Sequence, residues 1–263
     1  MKIILAGAES KNHADLLAEE KVVNPMISFA RIKIVEKFRE VSKLFDTKLI
    51  VDSGAFSAHN LRIEVGLYDY CHFIKRVHKH VEFYFNLDVI YNPVKTSENQ
   101  LKMENEGLNP IPVFHYYEKN YKFEYLEEYC KKYDLVGLGG IASSTINFKW
   151  LDKCFKILKE HKTKAHGLGV GSPIAMKKFD WFSCDTTDWL NGSTRNEVFV
   201  PCKDFLKRVK ANRPEWLYIA KPMIEHLGIS YGKLNEARER DRLNIRSFKL
   251  FEKKLNQKSH YWC

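Results

Sequence analysis

Three aspartates stand where short apolar runs stop: Asp52 in Val51-Asp52-Ser53-Gly54-Ala55-Phe56-Ser57, Asp88 in Asn86-Leu87-Asp88-Val89-Ile90, and Asp185 in Phe182-Ser183-Cys184-Asp185-Thr186. Carboxylates gathered where strands stop suggest a reaction site, since an Asp there can meet polar groups carried by other strands. A buried Asp with no partner is costly because burial disfavours its charged form. Three at strand ends therefore imply a shared ligand or compensating hydrogen bonds. Asp185 is the centre of this reading, since the stretch from Phe179 to Trp189 begins as an aromatic-rich run and ends in carboxylates and hydroxyls. Asp188 and Asp180 are its rivals, and Asp180 precedes the strand, on what would be the wrong face.

Other strand ends carry groups that could complete such a site. Ser53 follows Asp52, and Gly54 lets the backbone turn sharply and approach a ligand; the competing reading is a turn in which Asp or Ser only caps the next helix. His115, in Val113-Phe114-His115-Tyr116-Tyr117, reads equally as a ligand contact or a satisfied rim residue, while Tyr116 and Tyr117 could stack bases or belong to the core. Gly137-Leu138-Gly139-Gly140 and Gly167-Leu168-Gly169-Val170-Gly171 match neither a P-loop, since no Gly-Lys-Ser/Thr follows, nor the Rossmann spacing. They leave floor space for a flat ring, or allow strand ends to pack closely. Histidines are scattered, and the cysteines at 71, 130, 154, 184, 202 and 263 show no close Cys-Cys spacing, so no metal site and no cofactor is expected.

Positioning carboxylates from distant segments requires a sheet that brings strand ends together. Short apolar runs alternate with longer amphipathic stretches, the rhythm of βα units. The runs are Lys2–Ala6, Leu49–Asp52, Phe83–Asp88, Ile111–His115, Leu135–Gly139, Ala165–Val170 and Trp181–Cys184. Seven is one short of a barrel, and Val198–Pro201 or Trp216–Ile219 could supply the eighth. Helical patterns cover Ile32–Phe45, with Ile34, Val35, Phe38, Val41, Leu44 and Phe45 on one face, and also Tyr121–Tyr133 and Phe148–His161. After Pro214 the chain turns charged and arginine-rich, with a weak seam of Leu234, Ala237, Leu243 and Phe248 across Lys233–Lys254. The expected fold is a single α/β domain over residues 1–263, a (β/α)8 TIM barrel with a helical C-terminal extension over 213–263 and no zinc subdomain.

Bulk composition narrows the class of partner. With 43 Lys plus Arg against 33 Asp plus Glu, the net charge of +10 favours anionic partners, although a solvated lysine-rich surface explains charge alone as well. Met1–Gly7 is too short an apolar run for a signal peptide and reads as a first strand; no run of about 18 apolar residues exists to span a membrane. Reduced thiols in a cytoplasm are expected, in the host cell if the protein is viral.

Taken in order, Asp52-Ser53-Gly54-Ala55-Phe56, Asp88, Gly139-Gly140-Ile141-Ala142, Gly167–Gly171 and Phe182–Asp185 resemble the queuine tRNA-ribosyltransferase (tRNA-guanine transglycosylase) family, especially its smaller phage-type relatives that modify DNA. The resemblance spans roughly residues 49–190. It implies a (β/α)8 barrel that exchanges guanine for a free 7-deazaguanine base, with Asp185 as nucleophile on C1′, Asp52 as proton-transfer group and base contact, and Asp88 as reader of the guanine edge. Ser53 and Gly140 would contact the flat base, with Gly54, His115, Gly139 and Ile141 completing the pocket. Two departures stand out: the family's zinc-binding Cys/His cluster is missing, and its Gln-Gly after the fourth strand is replaced by His115-Tyr116. The leading expectation is base exchange on DNA. Alternatives are the same reaction on tRNA, a catalytically silent nucleic-acid-binding relative or partner subunit, and an unrelated barrel enzyme acting on a phosphorylated small molecule. A homodimer is a further expectation.

Overall fold

Runs such as Lys2-Ile3-Ile4-Leu5 and Leu49-Ile50-Val51 are apolar at successive positions, so a strand made of them presents greasy side chains to both faces. Such strands persist only between two cores, which is the situation of a parallel barrel wrapped in helices. The computed structural model describes residues 1–116, 122–141, 146–202 and 205–258. Tyr117, Tyr121, Ala142 and Cys263 lie outside the described residues.

Eight parallel strands form the wall: β1 (Lys2–Leu5), β2 (Met26–Ser28), β3 (Leu49–Asp52), β4 (Val81–Tyr84), β5 (Val113–His115), β6 (Leu135–Gly139), β7 (Lys164–Gly167) and β8 (Ser183–Thr186). They pair as β1-β8-β7-β6-β5 and as β2-β3-β4. Two parallel bridges, Ala6 to Met26 and Phe85 to Ile111, join these sheets at both seams and close the ring in sequence order. The fold is an α/β TIM barrel, as the sequence predicts. The eighth strand, however, is neither of the two runs expected to supply it. It is β2, and Trp216–Ile219 lies inside a helix while Val198–Pro201 pairs outside the barrel.

Helices α1 (Lys11–Glu19), α2 (Val35–Ser42), α3 (Ala55–Leu61), α4 (Leu67–Val77), α5 (Pro93–Asn105), α6 (Phe123–Lys132), α7 (Phe148–His161) and α8 (Pro173–Lys178) connect the strands, with both α3 and α4 between β3 and β4. Side chains of Ser10, Asn92, Asn147 and Ser172 accept the first free backbone N–H groups of α1, α5, α7 and α8. On α2, Val35, Phe38 and Val41 are buried, while Ile34 and Leu44 remain exposed at 61% and 40%, so the apolar face is narrower than the sequence pattern suggests.

Beyond β8 come a 3-10 turn at Asp188–Leu190, α9 (Asn191–Thr194), an antiparallel hairpin of β9 (Glu197–Pro201) and β10 (Leu206–Lys210), then α10 (Pro214–His226) and α11 (Ala237–Lys258). The C-terminal extension is thus helical, and α11 returns to the barrel wall, where Glu252 accepts the Ile3 N–H at 2.5 Å. Its other side holds β9: Asn244 accepts from Phe199 N–H, and Ser247 donates to Phe199 C=O.

Side chains alternate across the wall as strand geometry requires. Ile4, Ala6, Met26, Ile50, Phe85 and Val113 fill the interior, joined by Phe83, Ile111 and Leu168; Ile3, Leu5, Ile27, Leu49, Val51, Val136 and Cys184 face the helices. Counting two residues on from Met26, Ile50 and Val113 brings Ser28, Asp52 and His115 onto the inner face at the C-terminal mouth. The described cysteines, 71, 130, 154, 184 and 202, are free thiols.

Candidate active site

The three aspartates reach one rim. Asp52 ends β3, Asp185 lies within β8, and Asp88 sits in the loop beyond β4. Their proximity is visible in Asp52 itself: burial, and after it the negative charges of Asp88, Asp185 and Glu9, push its carboxyl well above the usual carboxylate range. Asp52 nevertheless keeps a partly exposed edge. Its Oδ2 accepts the Gly54 N–H at 2.9 Å, and among the described residues no bond engages Oδ1. Gly54 makes that turn possible, because at φ +80° an added Cβ would stand 2.3 Å from Ser28 Oγ and 2.4 Å from Ala30 Cβ.

Asp88 is held on both oxygens. Ser53 Oγ donates to Oδ1 at 2.7 Å, and His115 Nε2 lies 2.6 Å from Oδ2. Ser53 is fully buried, and its Oγ accepts the Ala55 N–H at 3.2 Å. It therefore fixes Asp88 and the start of α3. The His115 ring rests on Gly139, where a Cβ would approach its Cε1 to 2.7 Å and Nδ1 to 2.8 Å; Gly139 is the space into which His115 fits. Gly140 follows at φ +78°, packed on the Tyr116 backbone, and Ile141 is buried in the outer core.

Among the described residues Asp185 is anchored through one oxygen. Its Oδ1 accepts the Gly169 N–H at 3.1 Å and lies 3.1 Å from His166 Nε2, so Oδ2 enters neither bond. The other ring nitrogen, Nδ1, lies 2.8 Å from Ser183 Oγ, so the ring is held between Ser183 and Asp185. Asp188, the nearer rival, borders the Gly171 loop, where a Cβ would lie 2.3 Å from its Oδ2. Burial raises its carboxyl, against the lowering influence of the Asn191 side chain, Arg208 and Arg195. Asp180 is exposed at the opposite, N-terminal end of the barrel, in a groove with Met1 and Lys2.

Residues absent from the sequence reading complete the mouth. His166 is fully buried against Phe85 at 4.8 Å between ring centroids, and Glu9 accepts the Ser28 N–H at 2.8 Å. The signal for His166 was available: a polar residue at the inward register of Lys164–Gly167. Among the described residues, no group of three or more His, Cys, Asp or Glu is arranged to hold a metal ion, and no helix is long and apolar enough to cross a membrane.

No family model and no curated protein matches this sequence. Solved structures do resemble it. A protein from Aquifex aeolicus VF5 shares 11% identity over 97% of this chain and 93% of its own, with a TM-score of 0.51. The carboxyl transferase domain from Rhizobium etli pyruvate carboxylase shares 12% identity over 95% of this chain, with a TM-score of 0.50. The chain spans about half of that structure, 48%. At such identities the likeness is one of fold, and it agrees with the closed barrel.

Proposed function

We propose that the protein is a guanine transglycosylase that exchanges guanine in nucleic acid, with DNA favoured, for a 7-deazaguanine base. The observation that carries the proposal is the division of labour among the three carboxylates. Asp88 has both oxygens engaged, whereas Asp185 and Asp52 each keep one oxygen outside their hydrogen bonds. Asp52, raised by burial and by its acidic neighbours, suits the group that holds and transfers the proton.

In this reading Asp185 Oδ2 attacks C1′ of the target nucleotide. The C1′–N9 bond breaks, its electron pair leaves with guanine, and the Asp52 proton goes to the departing base. Oδ1, held by Gly169 and His166, becomes the carbonyl oxygen of the glycosyl ester. The incoming 7-deazaguanine gives its N9 proton to Asp52 and attacks C1′, and Asp185 departs as carboxylate. Two inversions retain configuration. Asp88 orients His115 at the pocket wall, and Gly139 makes room for its ring. The target nucleotide enters unstacked or single-stranded.

Incubation with radiolabelled guanine and either DNA or tRNA tests the proposal, with label expected in DNA; label in tRNA would reassign the polymer, and label in neither would overturn the reaction. Asp185→Asn is expected to lower exchange by at least about a thousandfold and to abolish a denaturation-stable protein–nucleic acid adduct. Asp188→Asn is expected to retain the adduct, and a reversal of these two results would move the nucleophile.

A further inference from the structure

At the end of the barrel opposite the aspartates, the starts of β1, β7 and β8 and the last turn of α7 enclose a groove of about 920 Å³. Lys2, Lys159, Lys162, Lys164 and Lys178 line it against a single carboxylate, Asp180. Lys178 is paired with Asp152 at 2.9 Å; the other four make no ion pair among the described residues. The groove is the focus of a wider field. Residues 148–180 contain eight lysines and three carboxylates, a net +5 that is half of the charge of the whole chain. Lysines crowded on one concave wall repel one another, and that cost is relieved when an anion enters.

The floor is aromatic. Phe155 and Phe179 stack at 4.8 Å, Lys178 lies 5.0 Å from the Phe179 ring centre, and Lys164 lies 5.2 Å from that of Phe182. Phe182 is 40% exposed, although it immediately precedes a barrel strand. Cations above flat rings suit a ligand that carries both phosphates and planar bases. A lipid surface fits less well, since the lysines are spread around a concavity that a flat bilayer does not enter.

We propose that this groove is a docking surface for single-stranded nucleic acid, its lysines holding phosphates and Phe182 taking the face of a base. The proposal is independent of base exchange, because the groove shares no residue with the aspartate mouth.

The test is fluorescence anisotropy of a labelled oligothymidylate, titrated at several salt concentrations. For the combined variant Lys2→Ala, Lys159→Ala, Lys164→Ala, the slope of log Kd against log salt is expected to fall by about 2, near 0.7 for each lost phosphate contact. Phe182→Ala is expected to weaken binding about tenfold or more. Replacing the same three lysines by arginine should restore the wild-type slope, which separates lost charge from damaged folding. The control Lys33→Ala, Lys37→Ala, Lys43→Ala, on and beside α2, should leave the slope unchanged. A wild-type slope in the groove variant, or an equal fall in the control, would overturn the proposal, as would loss of binding to phosphatidylserine vesicles with oligonucleotide binding intact. Loss of oligonucleotide binding in a protein that exchanges no base would leave the groove standing and remove only the transglycosylase reading.

Discussion

Asp52 carries the sharpest consequence at the scale of single residues. Its folded carboxyl titrates well above the ordinary range because of burial and the charges of Asp88 and Asp185. Between the unfolded and folded values the native protein holds a proton that the unfolded chain has released, so stability falls as pH rises through that window. Asp52→Asn removes the penalty. The variant should melt higher than wild type at neutral pH, by an amount on the order of 1 kcal/mol or about 2–4 °C. The gain should vanish below about pH 4, where both side chains are neutral. Equal melting temperatures across the pH range would show that the carboxyl is not so perturbed. The sequence made the three aspartates legible because each ends an apolar run. It concealed which oxygens are free, since that depends on Ser53, His115, Gly169 and His166, partners supplied by four other positions in the ring. It also concealed that Ser53 is fully buried and bonded to Asp88 and Ala55.

At the scale of elements, what was legible followed length. Phe148–His161 was readable to its ends because fourteen residues carry four turns of apolar period and an Asn cap. Met26–Ser28 was not, since three residues behind Pro25 give no period at all; only closure of the ring demands a strand there. Trp216–Ile219 looks like a strand by its aromatic and branched content, but Pro214 at the first helical position sets a helix. The contact between α1 and α11 was invisible for another reason: its partners are more than two hundred residues apart. Glu20, 8% exposed, accepts from Arg242 Nη1 at 2.6 Å and from Arg246 Nε at 2.8 Å. Burial alone would raise its carboxyl, but the hydrogen bonds of Arg246 and Arg242 overcome that and hold it below the usual value. Glu20→Ala leaves Arg246 without its anion while Arg242 keeps Glu19 and Glu239, and is expected to cost about 3 kcal/mol, roughly 6–12 °C in Tm. Because stabilisation by a lowered carboxyl is present at neutral pH and lost as pH falls through the folded value, the deficit should shrink in acid. A deficit constant from neutral to acid pH would assign the loss to packing.

For the whole molecule the decisive element is the last one. α11 is buried on two sides: Ile245, Phe248 and Phe251 enter the core between barrel and helices, while Leu243 enters the separate core made by β9, β10 and α10. Between these, Asn244 bonds Phe199 N–H, Trp189 C=O and Glu197 C=O. The far end meets the start of the chain, where Asn256 Oδ1 accepts from the Met1 amino group at 2.7 Å. The helix therefore covers the seam where the ring's first and last strands pair, and it is also the surface on which the hairpin rests. Burying each large apolar side chain contributes about 1.5–3 kcal/mol, so the four named here approach the 5–15 kcal/mol by which a typical domain is stable. A chain ending at Glu236 should consequently lose cooperative unfolding, with near-ultraviolet circular dichroism abolished, helical far-ultraviolet signal partly kept, and dye binding to exposed apolar surface. The alternative is that the ring stabilises itself and α11 only decorates it. In that case the shortened chain would melt in one sharp step within a few degrees of the full protein, and the aspartate mouth would keep the raised Asp52 carboxyl without the helix.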